Sequence, residues 1–212
     1  IRNIMGFLKP DSGKITVLGL DSWQDSEKIK KYVGYVPGEI AFPDLKTGTD
    51  FIKSQADFLG LKDLSYANYL IEKLQLDPSA NLKRMSKGMK QKTAIVVALM
   101  ANPDIIILDE PTTGLDPLMR VSFLDIIKAE KDKGKTILIS SHLYEELEKN
   151  CDKVALNNKG QIVDVADMKE IKNRPQSEYK IEFNKKEDYL DFKKLDYKII
   201  RDQSEYNQVT IS

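Results

Sequence analysis

Asp109 and Glu110 are adjacent carboxylates at the end of the apolar run Ile105-Ile106-Ile107-Leu108, in which three of the four residues are β-branched. Such a run reads as a buried parallel strand that delivers the two acids beyond its C-terminal end. In open α/β sheets that is where ligands bind. Two acids are costly to bury there without a cation or a reaction to serve, so the pair is a candidate for metal or hydrolytic chemistry. The plainer alternative is a core strand followed by a solvated acidic turn.

Three further places carry chemistry. Ser86 opens the stretch Ser86-Lys87-Gly88-Met89-Lys90-Gln91-Lys92 and has the type expected of a helix N-cap. The backbone N–H groups of the following first turn then make an anion site around Gly88. Five basic residues lie between Lys83 and Lys92. Cations at a helix start oppose its dipole, and a nearby anion makes better sense of them than a solvated basic face. Asp116, followed by Pro117, reads as the N-cap of another helix. His142 is the one histidine of the chain and directly follows Leu138-Ile139-Ser140-Ser141. A lone histidine is more often structural than functional, and only its placement argues otherwise.

The elements that must position these residues can be read from period and punctuation. Residues 1–8 look like the tail of a helix and residues 9–13 like a turn. Strands are expected at residues 14–18 and 32–36, with a short charged helix or loop at residues 26–31 between them. From about residue 45 to 102 helical periods dominate, predicting an inserted block of three or more helices closed by Asn102-Pro103. The acid-ended strand follows, then a helix from Pro117 to Gly134 and a second buried parallel strand, Lys135–Ser140. His142 opens an acidic helix to about Asn150, and residues 153–165 form a hairpin about Asn157-Asn158-Lys159-Gly160. After Asn173-Arg174-Pro175-Gln176-Ser177 the character changes to a charged β-α-β-β appendage over residues 178–212. The domain reading is residues 1–172 for the main domain and 178–212 for the appendage.

The totals exclude several classes. Charged residues are 31% and hydrophobic residues 41%, values of a globular chain rather than a disordered one. Lys+Arg and Asp+Glu both number 33, so no global charge draws the chain to nucleic acid or to an anionic membrane. A single cysteine, Cys151, cannot form an internal disulfide and fits a reducing compartment. The longest apolar runs, such as Ala94–Ala101, are far below the ~20 residues of a membrane span.

Alternating strands and helices around an acid-ended strand predict a doubly wound α/β nucleotide-binding fold. Leu108-Asp109-Glu110-Pro111-Thr112-Thr113-Gly114-Leu115-Asp116-Pro117 resembles the Walker B strand and D-loop of ABC-family ATPases. The resemblance implies that Asp109 supports Mg²⁺, largely through water, and that Glu110 polarises the attacking water. Both roles agree with what Mg²⁺ and phosphoryl transfer need. Asp116 becomes the D-loop acid, a role compatible with capping a helix. Met85-Ser86-Lys87-Gly88-Met89 resembles the family signature Leu-Ser-Gly-Gly-Gln, departing from it at Lys87 and Met89, in a form similar to bacterial drug- and bacitracin-resistance exporters. His142 matches the switch histidine that contacts the γ-phosphate. Val33–Glu39 lies at the Q-loop position, where Gly38 replaces the expected Gln. There Glu39 stands in as a Mg²⁺ or water contact, or else the loop serves only coupling to a membrane partner.

The resemblance covers residues 1–170 or so and implies a P-loop NTPase-like ABC core with a helical subdomain at about residues 45–102. It implies ATP and Mg²⁺ as ligands, a separate transmembrane permease, and a second ATP-binding subunit that completes the site. It also implies export as the direction, no nucleic acid, and a place at the cytoplasmic face of the membrane through the permease alone. A soluble ABC ATPase of ribosome or DNA work and a non-catalytic regulatory cassette are the alternatives. No Gly-x-x-x-x-Gly-Lys-Ser/Thr occurs in the 212 residues. Residues 1–13 resemble the stretch that follows that phosphate loop, so the chain is expected to be a fragment with the loop ahead of Ile1 and, by itself, to be inactive.

Overall fold

The computed structural model describes residues 1–173 and 179–211. These form two compact units, Ile1–Asn150 and Cys151–Ser212. The expected linker falls largely at residues 174–177, outside the described residues, as do Glu178 and Ser212 at the ends of the expected appendage.

The first unit opens on turns rather than the expected helix tail. Met5 N donates to Ile1 O at 3.0 Å, one helical bond, but Gly6 then takes φ +66 and Phe7 N reaches back to Arg2 O at 2.9 Å. A left-handed glycine ends a helix in this way. Two short strands follow, β1 (Thr16–Val17) and β2 (Leu20–Asp21), paired antiparallel, then α1 (Ser26–Lys30) and β3 (Val33–Val36). The helical block is α2 (Gly48–Phe58), α3 (Ser65–Lys73), a 3-10 turn at Leu82–Arg84, and α4 (Lys87–Leu99). α2 begins with a reciprocal cap: Thr47 Oγ1 accepts from Asp50 N at 3.1 Å, and Asp50 Oδ2 accepts from Thr47 N at 3.0 Å. Then come β4 (Ile105–Asp109), α5 (Pro117–Asp132), β5 (Thr136–Ser140) and α6 (Tyr144–Asn150).

β3, β4 and β5 form a parallel sheet in the order β3-β4-β5. β4 is central, and Ile106, Ile107 and Leu108 are buried as its sequence predicts. β5 differs from its expected burial: Leu138 is 42% exposed, because among the described residues β5 has a strand on one side only. The core joins this sheet to both layers of helix, through Leu70 and Leu74 of the α3 end, Ile95, Val96 and Leu99 of α4, and Phe123, Ile126 and Ile127 of α5. α6 starts two residues later than expected. Ser141 Oγ accepts from Leu143 N at 3.0 Å, a local turn that holds the chain out of helix until Tyr144.

The second unit contains the hairpin β6 (Lys153–Asn158) and β7 (Gln161–Asp167), followed by α7 (Met168–Asn173). Its turn places Lys159 and Gly160 at φ 50 and 80, the pair of positive angles a tight hairpin needs. Beyond it lie β8 (Tyr179–Glu182), α8 (Lys186–Phe192), β9 (Ile199–Gln203) and β10 (Gln208–Ile211), the anticipated β-α-β-β order. The last strand sits in the middle, giving an antiparallel sheet in the order β8-β10-β9. Tyr189 of α8 is buried and its hydroxyl donates to Asp202 of β9. No helix among the described residues is long and apolar enough to cross a membrane.

Candidate active site

The parallel register of β4 and β5 sets Asp109 opposite Ser140. From there the site builds outward. Ser140 Oγ donates to Asp109 Oδ1 at 2.7 Å and accepts from Glu110 N at 3.0 Å. Glu110 N also donates to Ser140 O at 3.2 Å. One hydroxyl thus fixes both acids. Glu110 takes φ 48, a left-handed conformation that is unfavourable for a residue with a side chain and persists only when its surroundings hold it. The bonds to Ser140 supply that hold. The strained turn aims the Glu110 carboxylate at His142, whose Nδ1 lies 2.9 Å from Glu110 Oε2. His142 is largely exposed, so the contact faces solvent rather than core.

Asp109 keeps its second oxygen, Oδ2, turned toward Gly38 at the end of β3, where an added Cβ would lie 3.5 Å from it. Tyr35 lies nearby; burial first, and then the Asp109 charge, push its phenol up. One carboxylate held by a hydroxyl, with one oxygen left over, fits a Mg²⁺ site in which water and phosphate oxygens supply most ligands. Among the described residues no three His, Cys, Asp or Glu side chains gather into a cage for a metal.

The turn after Glu110 is tight: Thr113 N donates to Glu110 O at 3.1 Å and Leu115 N to Thr112 O at 3.0 Å. Asp116 caps α5, its Oδ1 accepting from Met119 N at 3.0 Å. Ser86 caps α4, its Oγ accepting from Met89 N at 3.2 Å, which leaves the first-turn N–H groups of Lys87 and Gly88 without helical partners. This helix start abuts the Asp116 turn. A Cβ on Gly88 would lie 2.6 Å from Gly114 O, and one on Gly114 would lie 2.9 Å from the Lys87 side chain. Only two glycines allow that approach. Glu39 lines a cleft of about 330 Å³ together with Gly38, Ile40, Lys87, Lys90 and Gln91.

The structure therefore brings Asp109, Glu110 and His142 together, and sets Ser86, Lys87, Gly88 and Met89 beside the Gly114–Asp116 turn. Among the described residues, Ser86 and Met89 make no hydrogen bond to Asp109, Glu110 or His142. Ser140, which holds the site, carries no local sequence signal, since its partners lie 30 and 31 residues away. Counting the two parallel strands into register from their acidic and histidine ends would have found it.

The ABC transporter family model matches residues 1–113. The chain belongs to the ABC transporter family. The ABC transporter ATP-binding protein NatA of Bacillus subtilis is 34% identical over 173 residues, covering 77% of this chain and 69% of that protein. The linearmycin resistance ATP-binding protein LnrL of the same organism is 31% identical, covering 82% of this chain and 58% of its own length. The Nod factor export ATP-binding protein I of Rhizobium etli is 31% identical over 76% of this chain and 53% of that protein. The ABC cassette seen here thus spans about half to two thirds of the length of these relatives. A solved ATP-binding subunit of an ABC transporter superposes with a TM-score of 0.73 at 28% identity, over 82% of this chain and 74% of the other. The cassette MJ0796, solved as a dimer with ADP and phosphate after hydrolysis, superposes with a TM-score of 0.69 at 20% identity, over 79% of this chain and 78% of the other. The α/β fold is that of the ATP-binding cassettes.

Proposed function

We propose that this ABC cassette binds and hydrolyses ATP and so drives export through a separate membrane permease. The observation that carries the reading is the Glu110–His142 contact of 2.9 Å at the end of the strand that also presents Asp109. Glu110 is the base that orients the attacking water, and His142 steadies that carboxylate and faces the γ-phosphate. Asp109, oriented by Ser140, holds Mg²⁺ through water; the ion, when bound with ATP, neutralises phosphate charge. Glu39, which lines a cleft together with Lys87 and Lys90, is a lesser candidate for a water or Mg²⁺ contact.

Ser86, Lys87, Gly88 and Met89 of one copy serve the site of a second, their helix start accepting the phosphates bound by the partner's acids. Asp116 sits at the junction between the two. That MJ0796 crystallised as a dimer supports a two-copy arrangement. The names of LnrL and the Nod factor protein, a resistance protein and an export protein, support the direction. The cassette then runs through residue 172 with its helical subdomain at 45–102, and residues 178–212 are an appendage. Its place is the cytoplasmic face of the membrane, reached through the permease.

The 212 residues hold no Gly-x-x-x-x-Gly-Lys-Ser/Thr loop, so by themselves they lack the backbone cradle and the lysine that grip the β- and γ-phosphates. ATP turnover is expected only when such a loop precedes Ile1. Isolation of the cassette with a hydrophobic membrane protein supports the transport reading. Isolation with ribosomes or DNA instead would overturn it.

A further inference from the structure

A buried carboxylate and a partly exposed arginine, both outside the hydrolytic pair, hold the loop that carries His142. Ser141 Oγ donates to Glu146 Oε2 at 2.9 Å and accepts from Leu143 N at 3.0 Å, so His142 lies between two anchored neighbours. Glu146, on α6, is only 3% exposed. Its other oxygen, Oε1, is buried and faces the buried Nε of Arg120 on α5 at 3.4 Å. Neither of those two atoms completes a hydrogen bond among the described residues. An ion pair whose carboxylate is buried and across which no hydrogen bond forms is a poor source of stability, since desolvation of the carboxylate offsets the attraction. Such a pair calls for another explanation.

Its position supplies one. Arg120 N donates to Asp116 O at 2.9 Å, so Arg120 stands one helical turn beyond the Asp116 cap. A continuous path runs from Asp116 through Arg120, Glu146 and Ser141 to His142, and from His142 Nδ1 to Glu110 Oε2. We propose that Arg120 and Glu146 are positioning residues that tie the Asp116 turn to the His142 loop, so that displacement of that turn shifts the Glu110–His142 contact. The catalytic consequence rests on reading Glu110 and His142 as the hydrolytic pair; the mechanical link does not.

The link is read without nucleotide. The chain has one histidine, so its imidazole resonances are unambiguous. The variant carrying both Arg120→Leu and Glu146→Leu replaces the pair with apolar side chains and is expected to keep its melting temperature. Exchange of the Leu143 amide should nevertheless speed up about tenfold, and the His142 ring signals should move toward their positions in Glu110→Ala. Ser141→Ala should do the same, and Ser141→Thr should restore the native signals. These two variants decide the matter if the double variant does not fold. Native exchange at Leu143 together with native His142 signals, in a folded variant lacking the pair or the hydroxyl, overturns the proposal. Failure of hydrolysis in every form of the chain would sink the functional reading and leave these readouts intact. Full hydrolysis with native His142 signals in the double variant would sink the link alone.

Discussion

Ser140 carries more of the site than its size suggests. It orients Asp109 through its hydroxyl and holds Glu110 in a left-handed conformation through both its hydroxyl and its carbonyl. Ser140→Ala is therefore expected to lower kcat about tenfold with KM little changed, because it loosens reacting groups rather than a binding contact; steady-state kinetics on a chain with a phosphate loop check this. Asp116→Ala removes the α5 cap and should cost about 1 kcal/mol of stability, measurable by denaturant unfolding. The acids, the histidine and both caps were legible because each is announced locally: an apolar run ends in Asp-Glu, a Ser or Asp precedes a helix. Ser140 was not, because its partners are 30 and 31 residues away and are found only through strand register. The strain at Glu110 has no sequence signature, since the residue type itself opposes the conformation it adopts.

At the scale of elements, a buried carboxylate adds a polar tie between the helical block and the sheet layer to the apolar core they share. Glu130 of α5 is fully buried and accepts from Tyr66 of α3 at 2.6 Å, from Lys133 at 2.7 Å, and from Lys135 at the start of β5. Burial pushes the Glu130 carboxyl up, but the hydrogen bonds from Lys133, Lys135 and Tyr66 together outweigh it and hold it below the ordinary value. A folded-state pKa below the unfolded one contributes stability that is present above the unfolded pKa and lost as pH falls through the folded one. Acid should therefore unfold the native chain sooner than Glu130→Gln, relative to each at neutral pH, and thermal melts between pH 7 and pH 3 measure it. Tyr66 is shifted the other way: burial, then its bond to Glu130, push the phenol up, so its contribution is lost only in strong alkali. Glu130→Ala leaves Lys135 buried without its carboxylate and should cost about 3 kcal/mol or more. None of this was visible in the chain, where Glu130 sits among charged residues that read as a solvated face, and where Tyr66 lies 64 residues away. The exposure of β5 was likewise hidden, since its apolar residues say that it pairs but not on how many sides.

Over the whole molecule, the order of strands and helices was legible because period and turn residues agreed along most of the chain. The boundary between the compact units was not, because Asn150 and Cys151 carry no change of composition. The central claim is that Asp109, Glu110 and His142 form the hydrolytic half of an ATP site whose phosphate cradle is not contained in these 212 residues. The direct measurement is ATP turnover by the 212 residues alone, by a chain in which a phosphate-binding loop precedes Ile1, and by that longer chain with Glu110→Gln. The account predicts none from the first, turnover from the second, and a loss of about 100-fold or more from the third with nucleotide still bound. Turnover by the 212 residues alone, or undiminished turnover with Glu110→Gln, would contradict it.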